Sequence, residues 1–275
     1  MGRDFSELYQ QDGTFQQPPE ETILILGCPR EEFSAQEFEM LRKFVREGGS
    51  LLVLLSAGGE ARNATNINFL LEEYGMSVNA DSVVRASFHK YMHPKECHIT
   101  GGVVNRAVAE STQPQEDGGP EGPGGGGGRA SGFDVVYPNG ATVSVQDPAV
   151  VLMTTGSVAH PPHRAILAAF PKPGAQGFEG VRGKIAVLGS ADMLSDAWID
   201  KEENSRVLDF LFKWMRPGSS VELNAEDAEN AETSEHSLVP DIIKLADRLK
   251  APLVSLGPPP RARPPGPPPP PPPGP

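Results

Sequence analysis

Two short stretches carry the side chains with which an α/β protein handles ligands. "SAGGEARNATN", residues 56–66, leaves the apolar run Leu51 to Leu55 through Gly58-Gly59 and presents Glu60, Arg62, Thr65 and Asn66; "GSADMLSD", residues 189–196, leaves a second apolar run and presents Ser190 and Asp192. A glycine turn entering a helix can hold an anion on free backbone N–H groups, and the helix dipole favours negative charge there. The pattern is nevertheless incomplete. No Lys-Ser or Lys-Thr follows the glycines as a P-loop requires, and Gly58-Gly59 alone misses the dinucleotide fingerprint. The plainer account has Thr65 or Asn66 capping a helix and Arg62 pairing with Glu60. In the second stretch no histidine stands near Ser190, Asp192 or Asp196 in the sequence, and capping explains these residues equally well.

Two further sets of residues have the types for chemistry. Cys28 ends a strand just before a helix, a setting that can lower a thiol pKa, but Pro29 and Arg30 follow where a strained nucleophile turn needs small residues. His89 and His93 have the i, i+4 spacing of zinc ligands, with Cys97 and His98 close by; Pro94 interrupts the helix that spacing needs, and no acidic residue lies between the two histidines. Neither set gains a base or a ligand shell from spacing, and neither a cofactor nor a metal is assigned. Asn63-Ala64-Thr65 matches a glycosylation acceptor by coincidence, since no secretory signal precedes it.

The elements that would position these loops follow from hydrophobic periodicity. Ile23 to Leu26 and Leu51 to Leu55 are short apolar runs, and between them Ser34 to Glu37 forms a capping box ahead of Phe38, Leu41, Phe44 and Val45 at helical spacing. Strand, helix and strand with fully apolar strands predict a parallel βαβ unit. Ile67, Leu70, Leu71 and Tyr74 mark a second helix that Gly75 ends. Four strand-like runs between Phe133 and Phe170 are spaced for antiparallel pairing; Lys184 to Gly189 is another buried strand, and Asp200 to Glu203 reads as a capping box for a helix bearing Val207, Leu208, Leu211, Trp214 and Met215. The expected fold class is α/β: a mainly parallel, Rossmann-like or flavodoxin-like sheet flanked by helices, with an additional mixed or antiparallel portion.

Composition divides the chain. Residues 1–21 are polar and read as a disordered leader, residues 22–217 as the α/β domain, residues 112–132 as a disordered Gly/Pro-rich insertion, residues 218–256 as an acidic linker with a short amphipathic helix, and residues 257–275 as a polyproline tail. Ile242, Leu245 and Leu249 form the apolar face of that short helix and are the candidate partner-binding residues. A net charge of −12 argues against general binding to nucleic acid or to an anionic membrane. Two cysteines and no apolar run long enough to span a bilayer fit a soluble protein of a reducing compartment.

Longer motifs carry a family resemblance. "TNINFLLEEYGMSVNADSVVR" (65–85), "YMHPKE" (91–96), "GGVVNRAV" (101–108), "VYPNGATVSV" (136–145), "KIAVLGSADMLSD" (184–196) and "DKEENSRVLDFLFKW" (200–214) resemble the N-terminal domain of the intraflagellar transport protein 52 family. The resemblance implies a non-enzymatic, structural subunit of intraflagellar transport complex B. It would act in cilium and flagellum assembly through other complex B subunits, in the cytoplasm, the cilium and the ciliary base. It also implies an α/β module similar to sugar-binding and glutamine-amidotransferase-like folds, so a small-ligand site for a sugar or nucleotide, or a weak enzyme, at loops 56–65 and 189–196 stays as the alternative. Members carry a strand and helix ahead of the one matching Ile23 and continue beyond the proline-rich segment, so the sequence reads as truncated at both ends.

Overall fold

The computed structural model describes residues 15–110, 133–171, 177–178 and 180–224. The insertion 112–132 and Ile242, Leu245 and Leu249 lie outside the described residues. Of the stretch assigned to a leader, Phe15 packs its ring 5.8 Å from that of Phe44, and Pro19–Glu21 forms a 3-10 turn.

The βαβ unit forms as its pattern requires. Strand β1 (Ile23–Gly27) lies parallel to β2 (Ser50–Leu54), and helix α1 (Ala35–Arg46) links them. Helix α1 starts at the capping box: Ser34 Oγ accepts from Glu37 N at 3.3 Å, and Glu37 Oε2 accepts from Ser34 N at 2.6 Å. After β2 come α2 (Gly59–Asn63), α3 (Asn68–Leu71) and the short strand β3 (Met76–Val78). A two-residue strand β4 (Val84–Arg85), strand β5 (Glu96–Thr100) and α4 (Arg106–Glu110) follow. The returning half of the chain supplies β6 (Asp134–Pro138), β7 (Val143–Val145), β8 (Val150–Thr154), β9 (Ala159–His160), β10 (Ala165–Phe170), β11 (Ile185–Leu188) and α5 (Asn204–Met215).

The main sheet has the order β1-β2-β11-β10-β7-β3, with β8 also on β10. Parallel pairing is confined to β1 with β2 and β2 with β11; every other pair among the described residues is antiparallel. The sheet is therefore mixed, which corrects the mainly parallel, Rossmann-like sheet expected from the first βαβ unit. The reason is local. Parallel neighbours need a crossover of about a dozen residues or more, whereas ten residues, 155–164, join β8 to its antiparallel neighbour β10. Two small antiparallel ribbons, β4 with β9 and β5 with β6, stand apart from this sheet.

Strand alternation sorts the core into two layers. Leu51, Val53 and Leu55 face α1 and the α3 segment, joining Phe38, Leu41, Phe44, Val45, Leu70 and Leu71; Leu52 and Leu54 face α5 and the β5–β6 ribbon, joining Phe210, Leu211, Trp214, Ile99 and Val135. Each such large side chain, fully buried, contributes about 1.5–3 kcal/mol. Helices thus cover both faces, and the ends of β1, β2 and β11 come together on one edge.

Candidate functional site

On that edge, Cys28 follows β1, the glycine turn follows β2, and Gly189 to Asp192 follow β11. The turn 138–141 between β6 and β7 closes over them. Three successive backbone donors of the glycine turn are engaged. Ala57 N donates to Asn139 O at 2.7 Å, Gly58 N to Asp81 O at 2.6 Å and Gly59 N to Ser56 O at 2.9 Å. In the second loop Gly189 N donates to Ile166 O at 3.1 Å, Ala191 N to Leu55 O at 2.7 Å and Met193 N to Ser190 Oγ at 3.2 Å. These bonds tie the two loops to the 138–141 turn, to Asp81, to Ile166 and to Leu55, and two of them close within a loop.

Glycine is required here by packing. Gly59 has φ +52°, and a Cβ on it would stand 2.5 Å from Asn79 O. At Gly189 a Cβ would meet Ala141 O at 2.1 Å and the Tyr137 hydroxyl at 2.4 Å. Both positions are close approaches of backbone to backbone.

The predicted site residues take structural partners. Glu60 Oε1 accepts from Asn68 N at 2.5 Å, so this carboxylate, and not Thr65 or Asn66, serves the start of α3; burial raises its pKa and this backbone hydrogen bond opposes the rise. Arg62 reaches Ala57 O at 3.5 Å rather than pairing with Glu60. Asn66 clamps the chain ahead of α1, its Oδ1 accepting from Phe33 N at 2.6 Å and its Nδ2 donating to Phe33 O at 3.0 Å. Thr65 is buried, and its Oγ1 has no hydrogen-bond partner among the described residues. Ser190, fully buried, donates to Pro138 O, and Asp192 Oδ2 accepts from Asn139 Nδ2 at 3.0 Å. Ser190 and Asp192 thus meet the 138–141 turn, while Glu60, Thr65 and Asn66 build the α2–α3 corner.

Sequence reasoning missed Asn139, which links both loops by accepting from Ala57 and donating to Asp192. Its signal was "PNG", a turn pattern between two strands; Asn139 sits at φ +46°. Asn63 of the glycosylation pattern is buried, with Nδ2 donating to Gly59 O at 3.1 Å.

The thiol of Cys28 is pushed up by burial and by the Asp192 charge, against a hydrogen bond from Ser56 and the positive charge of Arg30. A raised pKa keeps it protonated at neutral pH, opposite to the need of a thiolate nucleophile. Burial likewise pushes Cys97 to about 12. Of the histidines beside it, His93 Nδ1 accepts from Lys95 N at 3.1 Å, and His98 packs tilted against His89 with ring centres 4.9 Å apart. Among the described residues no group of three or more His, Cys, Asp or Glu side chains is placed to hold a metal. Nor, among the described residues, is any helix long and apolar enough to cross a membrane.

Fold and loops together define a mixed-sheet α/β domain whose strand-end loops are held by the 138–141 turn. The chain belongs to the IFT52 GIFT domain family, whose model matches residues 9–229. It is 46% identical over 233 residues to the intraflagellar transport protein 52 homolog of Mus musculus, covering 83% of this chain and 52% of that protein. To the Homo sapiens homolog it is 45% identical over 231 residues, covering 82% and 50%. The chain therefore spans about half the length of these relatives. The solved "mmIFT52 N-terminal domain" superposes with a TM-score of 0.59 at 46% identity, covering 70% of this chain and 76% of that one.

Proposed function

We propose that this chain is a non-catalytic structural subunit of intraflagellar transport complex B, acting in assembly of the cilium or flagellum through protein–protein contacts. The observation that carries this reading is its 46% identity to an intraflagellar transport protein 52 homolog across 83% of the chain. Identity at that level preserves a common fold, and the engaged loops favour a scaffold: donors and acceptors at the strand ends hold the domain together instead of facing a substrate. In this reading residues 22–217 are the folded module, residues 112–132 an insertion within it, and residues 218–256 and 257–275 extended segments through which Ile242, Leu245 and Leu249 reach partner subunits. The protein works in the cytoplasm, at the ciliary base and in the cilium. Live imaging of the tagged chain in ciliated cells tests the location, with punctate signal at the base and movement along the cilium expected. Uniform cytoplasmic signal, with cilia devoid of the chain, would contradict it.

A further inference from the structure

The turn that holds the strand-end loops carries the one Asn-Gly pair in the sequence, Asn139-Gly140. Asn139 is half-buried and joins three segments. Its N donates to Lys95 O at 2.9 Å, its O accepts from Ala57 N at 2.7 Å, and its Nδ2 donates to Asp192 Oδ2 at 3.0 Å. Packing demands glycine at the next position, because a Cβ on Gly140 would stand 2.1 Å from the Tyr137 ring. The Gly140 carbonyl accepts from Val83 N at 2.8 Å, whereas its N–H has no acceptor among the described residues. Backbone N–H groups inside a fold are nearly always paired. Here the unpaired one follows an asparagine amide, and no side chain on Gly140 crowds it. That is what ring closure between the two residues requires: a backbone nitrogen that gives up no hydrogen bond on reacting.

We propose that Asn139 is a site of spontaneous deamidation, and that the reaction loosens the loops which the 138–141 turn holds. Gly140 N gives its proton to solvent base and attacks Asn139 Cγ. The Cγ–Nδ2 bond breaks, ammonia leaves with a proton taken from water, and a five-membered succinimide remains. Water then opens the ring at either carbonyl to give aspartate or isoaspartate at position 139, with no change of oxidation state. Both products lose the Nδ2 donor and set a carboxylate against Asp192, where like charges repel. In isoaspartate the backbone also runs through Cγ and gains one atom, so the turn cannot hold Ala57 N and Val83 N as it does now. The inference is independent of the scaffold reading.

The test incubates the folded full chain in mildly alkaline buffer at physiological temperature and follows every asparagine by peptide mass mapping, with isoaspartate read by enzymatic methylation. Asn139 should exchange its amide for a carboxyl group faster than any other asparagine, and isoaspartate should appear at that position. The converted fraction, separated by its extra negative charge, should melt at a lower temperature than the fresh chain. Its Ala57 amide should exchange hydrogen with solvent about fivefold faster, the effect of one lost hydrogen bond. Conversion of Asn139 in the urea-unfolded chain but not in the folded chain would show that the turn protects the residue, and would overturn the proposal. Faster conversion at another asparagine would overturn it too. Conversion at Asn139 that leaves both melting and Ala57 exchange unchanged would show that the loops are not loosened, which also overturns it.

Discussion

Glu202 shows how one side chain can fasten two segments. Its carboxylate is held below the ordinary carboxylate range first by the hydrogen bond from Lys90, with help from Tyr91 and the charges of Lys90 and His98, while burial opposes the shift. A carboxylate whose folded pKa is depressed contributes stability above its unfolded pKa and loses it as pH falls through the folded value. Denaturant unfolding should therefore show Glu202→Gln less stable than the native chain at neutral pH, the two converging in acid below about pH 4. A gap that stays constant into acid would show that the ionised carboxylate is not what matters. The two glycines differ just as sharply. Gly189→Ala drives a methyl group into Ala141 O and the Tyr137 hydroxyl and should cost about 1–3 kcal/mol in thermal unfolding. Gly27→Ala, where nothing stands within 4 Å, should cost far less. Residue types alone did not reveal this. Gly58-Gly59 and Gly189 look like ligand-loop glycines, and only the neighbouring backbone shows that they are contact points.

Elements were legible where their signals are local. The apolar runs of β1 and β2, the Ser34 to Glu37 capping box and the Gly75 stop at φ +76° all stand where periodicity and capping put them. Pairing partners were less legible, because register between distant strands leaves no local mark. The capping box read at Asp200 to Glu203 illustrates the limit. Helix α5 begins at Asn204 with no side-chain cap; Glu203 Oε2 instead accepts from Asp134 N at 2.7 Å, and Asn204 Oδ1 from Val136 N at 3.0 Å. Asn204 also donates to Val136 O at 3.0 Å and to Trp198 O at 2.9 Å, and it is fully buried. It joins α5, β6 and the 195–203 loop in one network. Asn204→Ala would orphan buried backbone groups on β6 and should lower unfolding free energy by at least about 2 kcal/mol. A loss below half that would mean that water substitutes for the side chain.

At the scale of the whole molecule, the loops at the ends of β1, β2 and β11 resemble a ligand-facing edge in position and a packed joint in chemistry. Of the six residues that could have formed a site, Glu60, Thr65 and Asn66 build the α2–α3 corner, Ser190 and Asp192 meet the 138–141 turn, and Arg62 reaches back to Ala57 O. That division was invisible in the sequence because it depends on Asn139 and Asp81, which reach the loops from distant segments. Long motifs were far more informative than short ones: stretches such as residues 65–85 carried the family, and the match over residues 9–229 agrees with them. If the molecule is a scaffold, its activity is incorporation into a complex. The most direct measurement is affinity isolation of the tagged full chain from ciliated cells, with quantitative mass spectrometry of what comes with it. Complex B subunits should be enriched together and in constant proportion to the chain. Recovery of the folded chain with none of them would contradict the central claim.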